Sequence, residues 1–481
     1  MRQGTERSTA AVCKMVLLDV LGCTILAIHA WGCVSVPKST VVTTPKSAAV
    51  AVDIPSKRDD PDLAHSPLMS VPIKNATYHI VSSEGATDKD TTWNLTLPKL
   101  VSDGQYIYSL VAAGSFHDFN GALQIRRKRI GKEEAFATIW SKSSAKEVLG
   151  ALFIDTHSAL HVIYYQSEPG APTRARLRYE KADDPRAQTV AFHEQLTPDD
   201  SLCATCRMGV FYKKDDDTIH VVNDSIVEQQ LRYRRKKVTD DSWTTRETLQ
   251  LAYRLLDGRF QYFYYPKIVF FKGQLHVFTT GNVFDTQHTE ARFFNGIKHY
   301  YRDYNGPPGI WHNEWVRGPV ADGTNTALYD AYVTRADQLA LVNAFSRPQG
   351  KVKELSLFLS SIGFGDWRLK PIFSDENAQA CVEQTADGSF HLFSWYPHTP
   401  LNYARSSDGV NWQFFQLPRP TGAIQRDFLS VNCMSTPNSA SLQEPSAIVT
   451  GFTTGQSTAP ANGAGPSFPH GHSVILIEVP K

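Results

Sequence analysis

The sequence predicts an all-β chain: a single β-propeller, most simply of seven four-stranded blades closed by N- and C-terminal strands. Three observations carry this. Aromatic residues make up 11% of 481 residues, 30 glycines and 27 prolines are spread throughout, and no long stretch shows a 3.6-residue apolar period. Hairpin-like segments recur along the chain at intervals of 51 to 64 residues. A strand-like segment follows most of them and leads through a turn to an aromatic one. A sheet that is apolar on both faces must be covered by neighbours, and a closed ring of sheets leaves none bare.

Taken in chain order, residues 1–33 read as an export signal. Arg2, Arg7 and Lys14 precede the apolar run "MVLLDVLGCTILAIHAWGC". Its end resembles a bacterial lipoprotein signal, with Gly32 before Cys33. A plain cleaved signal and an uncleaved anchor are the competing readings. Residues 34–72, rich in Ser, Thr, Pro and charge, hold too little apolar surface to fold and read as a tether. The expected location is outside the cytoplasm, secreted or membrane-anchored, with the membrane touched only through the N-terminal anchor.

The body, residues 73–481, carries the repeats. Inner hairpins are expected in "KLVSDGQYIYSLV", "ALFIDTHSALHVIYY", "GVFYKKDDDTIHVVN", "KIVFFKGQLHVFTTG", "AYVTRADQLALVNAF", "CVEQTADGSFHLFSW" and around "EPSAIVTGF", anchored on Ile107, His161, His220, His276, Ala340, His391 and Ile448. Trp140, Trp243, Trp311, Trp367 and Trp412, with Phe192 in the second repeat, fall in the aromatic strands and are read as packing residues. The piece Thr77 to Pro98, with Trp93, looks like an outer half-repeat, and the C-terminus supplies the matching inner half. Where the terminal strand "HSVILIEVP" fits is left open.

One turn carries a family resemblance. "RSSDGVNW" (405–412) pairs Asp408 and Gly409, which suit a tight turn between strands. Ser406, Asp408, Gly409 and Trp412 resemble the Asp-box of sialidase-like propellers, one residue shorter between Asp and Gly. "SSIGFGDW" and "VTDDSW" look like degraded copies. The resemblance implies a structural turn on the face opposite the active site, so Asp408 is not expected to be catalytic. The sialidase arginine cluster and early Arg-Ile-Pro signature are not recognisable. Propeller polysaccharide lyases, which use His and Tyr beside a sugar acid, are the other architectural relative.

Chain path narrows the site. In a four-strand meander the inner-hairpin turns and Asp-box turns share one face. The longer loops after each hairpin and the links between repeats share the other, which is where functional loops are expected. That face would carry His117 as base, Asp118 as its orienting partner and Tyr264 as a hydroxyl donor. Tyr265, Arg292, Asp330, Trp395, Arg426 and Asp427 are the candidates for holding substrate, with Asn120, Asp285, His288, Glu290, Tyr329, Arg347, Glu376, Tyr396 and His398 nearby. Aromatics mixed with Arg, Asp and His suit a glycan or polysaccharide, and an enzyme here would be a glycoside hydrolase or polysaccharide lyase. A non-enzymatic propeller binding a protein partner is the alternative.

Net charge is +1, which predicts no nucleic-acid partner. The run "RYRRKK" (232–237) reads as a solvated strand face. The His of successive repeats occupy equivalent strand positions, so no metal is expected from them, no cofactor is implied, and the chain is expected to be a monomer. "CATC" (203–206) lacks a second pair for a metal, and "HGH" (470–472) sits in a Gly/Pro-rich loop. Cys381 and Cys433 fall on consecutive inner strands, and a disulfide between them requires Cα atoms within about 7 Å.

Overall fold

A computed structural model describes residues 71–72, 76–85, 97–113, 122–143, 150–168, 171–197, 207–225, 230–251, 253–254, 260–284, 290–292, 296–318, 325–346, 353–361, 366–373, 379–395, 401–417, 428–434, 447–453 and 472–479. The signal and tether lie outside them except for Val71–Pro72, as do Trp93, "CATC", and His470 and Gly471 of "HGH".

The described residues form one all-β propeller. Its strands join into six hydrogen-bonded sheets. Sheet 1 has eight strands, seven of them in one row: Tyr106–Ala113, Ala122–Arg129 and Ala137–Ser143 form one side, joined through Thr77–Gly85 to His472–Val479, Ala447–Thr453 and Phe428–Cys433, while the eighth, Leu100–Ser102, pairs with Tyr106–Ala113. Sheet 2 is Gly150–Ile154, Leu160–Glu168, Ala171–Ala182 and His193–Glu194. Sheet 3 is Met208–Lys213, Thr218–Ser225, Gln230–Lys237 and Glu247–Leu251. Sheet 4 holds Phe260–Phe271, Gln274–Phe284, Ile297–Asp303 and His312–Arg317, with Tyr253–Arg254 and Glu290–Arg292 at its margins. Sheet 5 is Asn325–Val333, Leu339–Ser346, Lys353–Ser360 and Trp367–Phe373. Sheet 6 is Gln379–Gln384, Phe390–Trp395, Asn402–Ser406 and Gln413–Gln416, with Val71–Pro72 added in parallel at its outer edge.

Counted by hydrogen-bonded sheets, the ring has six blades, not the seven expected. The reason lies in sheet 1, where two sets of four strands are bridged by a single backbone pairing, Gly85 with Ala113. Side chains still fill the gap between those two sets: Val81, Leu100, Ile107, Val111, Phe136 and Met434 form a buried cluster there. The strand His472–Val479 takes the third place in its set, and Thr77–Gly85 pairs antiparallel beside it, so an early and a late strand of the described residues together close the ring.

The core is distributed between sheets. Leu152, Leu160 and Val162 of sheet 2 pack on Leu123, Ile125 and Trp140 of sheet 1, and similar clusters fill the other gaps. Each aliphatic side chain buried this way contributes about 1.5–3 kcal/mol. The tryptophans are part of it. Trp140 meets Tyr164 edge-on at 5.1 Å, Trp311 meets Tyr233 at 5.1 Å, and Trp367 meets Phe278 at 5.9 Å.

The repeated histidines have a structural explanation. His161, His220 and His391 are buried on second strands, and each hydrogen-bonds through Nδ1 to a third-strand tyrosine hydroxyl: Tyr179 and Tyr233 at 2.8 Å, Tyr403 at 2.7 Å. Asp155 faces Nε2 of His161 at 3.0 Å. That nitrogen therefore carries the proton, and Nδ1 accepts from Tyr179. Sheet 4 departs from the pattern, with His299 in place of the tyrosine, 2.9 Å from Nδ1 of His276.

The reading of "RYRRKK" as a solvated face is corrected. Arg232, Tyr233 and Lys236 are buried, because third strands of a propeller are covered on both faces and alternation puts no whole side in water. Tyr233 belongs to the core between sheets 3 and 4.

Candidate functional site on the link face

The two faces of the ring can be told apart by their contacts. Turns joining first to second strands meet turns joining third to outer strands. Arg186 donates to Asp103 at 2.7 Å, Tyr304 to Asp216 at 2.5 Å, and the Arg335 amide to the Asp408 carbonyl at 3.1 Å. This is the turn face. The hairpin loops and inter-sheet links lie at the opposite strand ends, on the link face.

Residues 405–412 sit on the turn face. The Ser406 hydroxyl and the amides of Val410 and Asn411 all donate to Asp408 Oδ1 at 2.8 Å, and the Asn411 side chain donates to Oδ2 at 2.6 Å. Burial pushes the Asp408 carboxyl up, but these donors outweigh it and hold it below the usual carboxylate range. Gly409 has φ +77°, and a Cβ there would press on the Tyr332 and Phe390 rings at 3.1–3.2 Å. Every acceptor is occupied by the turn itself, which leaves Asp408 a structural task.

On the link-face side the inner strand Phe260–Phe271 breaks its register between Tyr264 and Lys267, so Tyr265 and Pro266 bulge out of the ladder. Pro266 cannot donate to a ladder, which explains why the bulge forms here. Tyr265 has φ +53°. The other described non-glycine residues with positive φ, Ser158, Asp217, Lys272 and Asp337, all lie in first hairpin turns. Tyr265 alone among them lies within a strand, and a bulky residue held in that region costs about 1–3 kcal/mol. Opposite it the inner strand of sheet 3 comes to backbone contact: a Cβ on Gly209 would stand 2.2 Å from the Pro266 carbonyl oxygen. Arg207, at the start of that strand, lays its guanidinium 5.6 Å from the Tyr265 ring centroid.

The neighbouring groups come from sheets 4, 5 and 6. Lys267 Nζ reaches Asp330 Oδ1 at 2.7 Å, and Asp330 Oδ2 accepts the Val382 amide at 2.8 Å. Asp330 thus pins three inner strands together. Burial, with Tyr265 beside it, raises the Tyr329 phenol well above its ordinary value. Tyr264 is buried, 6.3 Å from the half-buried Tyr265 ring.

The structure therefore gathers Tyr264, Tyr265 and Asp330 of the expected residues. It places Arg292 and Trp395 at strand ends on sheets 4 and 6, with nothing described of their side chains. His117, Asp118, Arg426 and Asp427 lie outside the described residues. Arg207 and Lys267 were not anticipated. The signal for Lys267 was Pro266 within a strand-like run, and for Arg207 a cation just ahead of an inner strand. Cys381 and Cys433 form a disulfide with Cα atoms 5.6 Å apart, joining sheets 6 and 1. Among the described residues, no group of three or more His, Cys, Asp or Glu could hold a metal.

No protein-family model matches the sequence, and no curated protein matches it. Among solved structures, a polysaccharide lyase, the PL25 ulvan lyase, superposes with a TM-score of 0.56 at 9% identity, covering 83% of this chain and 95% of that one. An α-L-arabinanase from Penicillium chrysogenum, complexed with arabinobiose, gives 0.41 at 8% identity over 84% and 99% of the two chains. The Hadza microbial sialidase Hz136 gives 0.36 at 12% identity over 58% and 63%. The first likeness shows the fold, a β-propeller. The other two superpose too loosely to add to it.

Proposed function

We propose that this propeller binds a glycan on its link face and acts on it there. The observation that carries this reading is Tyr265: a strained aromatic presented from a bulge, with a guanidinium against its ring. Strain of this kind persists where the surroundings impose it, and it clusters at binding sites. A tyrosine ring offers the stacking surface that the apolar face of a sugar takes, and Arg207 offers paired donors for hydroxyl or carboxylate oxygens. The fold neighbour named as a polysaccharide lyase makes polysaccharides the first ligands to test.

In this reading His117 serves as base with Asp118 orienting it, Tyr264 is the hydroxyl donor behind Tyr265, and Arg292 or Arg426 holds a sugar acid. Glycan binding is tested by titrating an array of neutral and acidic polysaccharides against the wild type, Tyr265→Ala and Asp408→Ala, and cleavage by release of reducing ends. Tyr265→Ala should weaken binding about tenfold, a change of about 1.4 kcal/mol, with an unchanged melting temperature. Loss of binding in a folded Asp408→Ala protein, beside unchanged binding in Tyr265→Ala, would move the site to the other face.

Export belongs to the same proposal. The Cys381–Cys433 bond suits an oxidising compartment, and residues 1–33 have the pattern of an export signal. Cell fractionation that finds the chain in the cytoplasm with both thiols free would overturn this part.

A further inference from the structure

Across sheet 4 three side chains stand in a row. The antiparallel register sets Thr279 opposite Lys298 on one side and Trp315 opposite it on the other, so all three share one face of the sheet. Tyr300, two residues further along, belongs to the core between sheets 3 and 4, which places the row in that gap, nearer the link face.

The surroundings of Lys298 are unusual for a lysine. The residue is 9% exposed, and its Nζ lies 4.7 Å from the Trp315 ring centroid. Phe263 closes the wall, 5.9 Å from Trp315 and 6.2 Å from Tyr300. Thr279 is fully buried, and among the described residues its Oγ1 has no hydrogen-bond partner. Lys213 and Lys267, by contrast, each reach an aspartate, at 3.2 Å and 2.7 Å. Burial pushes the Lys298 amine down to about 8, with Glu314 pulling weakly the other way. A buried amine of this kind is the form of lysine that reacts as a nucleophile.

We propose that Lys298 is a covalent site for aldehydes, with Thr279 as the hydroxyl that assists the addition. The Nζ lone pair attacks the carbonyl carbon and forms a C–N bond, while the carbonyl oxygen takes up a proton. The C–O bond then breaks. Both amine hydrogens leave with that oxygen as one water, and an imine remains, with nothing oxidised or reduced. Thr279 donates a hydrogen bond to the carbonyl oxygen during attack, and the rings of Trp315 and Phe263 keep water from the imine. The inference does not depend on the glycan reading.

The test treats the folded full chain with D-glyceraldehyde and cyanoborohydride, which reduces the imine to a stable amine, at neutral to slightly alkaline pH. The reaction is stopped at low conversion and mapped by peptide mass. Burial favours the neutral amine at Lys298 over that of an exposed lysine, while it also slows access. Lys298 should be labelled at least about tenfold faster than the median exposed lysine, a difference of about 1.4 kcal/mol in barrier, and the advantage should vanish in urea. Labelling of Lys298 in the folded chain no faster than that of exposed lysines would overturn the proposal.

Discussion

The two faces of this propeller use their polar residues in opposite ways. On the turn face carboxylates are consumed by structure. Asp103 takes two amides, Tyr108 and Arg186; Asp155 takes two amides and His161; Asp408 takes two amides and two side chains. Glu247 and Arg302 form a buried ion pair in which Nη1 donates to both carboxylate oxygens; Nη2 holds the Gly306 and Pro307 carbonyls, and Glu247 also accepts from the Gly309 amide and the Trp311 indole. On the link face the backbone itself is distorted, at the Tyr265 bulge. One face invests its polar groups in keeping its turns; the other accepts strain to hold Tyr265 out. Stability and recognition should therefore separate by face.

The strongest way to break that contrast is Arg302→Met. It leaves the Glu247 carboxylate buried without its cation, and about 3–5 kcal/mol should be lost, read as a lower urea midpoint. A loss under 1 kcal/mol would mean the turn face is not held by its ion pairs.

Acid comes next. Burial holds His220 and His276 down to about 3. Between an unfolded value near 6.5 and that folded value, the unfolded chain binds protons that the folded chain refuses, so stability falls as pH drops below about 6.5. Melting followed from pH 7 to pH 4 should show the decline, on the order of a few kcal/mol in total. His220→Gln should flatten it, and an unchanged slope would remove His220 as a cause.

Asp408→Ala should cost about 1 kcal/mol, since the Val410 and Asn411 amides and the Ser406 hydroxyl lose their acceptor, and leave any ligand affinity as it was. The smallest effect is expected at the other face. Tyr265→Gly relieves the positive φ, so calorimetry should show stability unchanged or raised by about 1 kcal/mol, while glycan binding falls. A destabilised Tyr265→Gly protein would mean that the ring packs rather than presents.

Much of the fold was legible because a propeller writes itself as a period. The anchors Ile107, His161, His220, His276, Ala340, His391 and Ile448 all lie near the starts of second strands. Alternation marks such strands, and Asp-Gly or Asp-x-x-Ser turns punctuate them. The blade count was less legible. One pairing between Gly85 and Ala113 merges two sets of strands, and backbone approach of that kind leaves no mark on apolar periodicity. The site was legible only in part. Tyr264, Tyr265 and Asp330 follow from chain path, since links between repeats must share a face. Arg207 and Lys267 join them only through the convergence of inner strands, a contact between distant segments that spacing does not encode. The burial of Arg232 and Lys236 was missed for a related reason: a basic strand looks solvated until both of its faces are covered by neighbouring sheets.

The pairing of Thr77–Gly85 with His472–Val479 also fixes when the molecule can become whole. Thr77–Gly85 waits, while the strands of the other five sheets, Val71–Pro72 apart, are made, for a partner that follows them all in the chain. Until then the growing polypeptide is an open arc whose two terminal sheets show bare flanks, and joining ends so far apart in sequence makes the last step slow. A chain kept unfolded until His472–Val479 has been made avoids the arc altogether, because the two strands then meet with every sheet between them already synthesised.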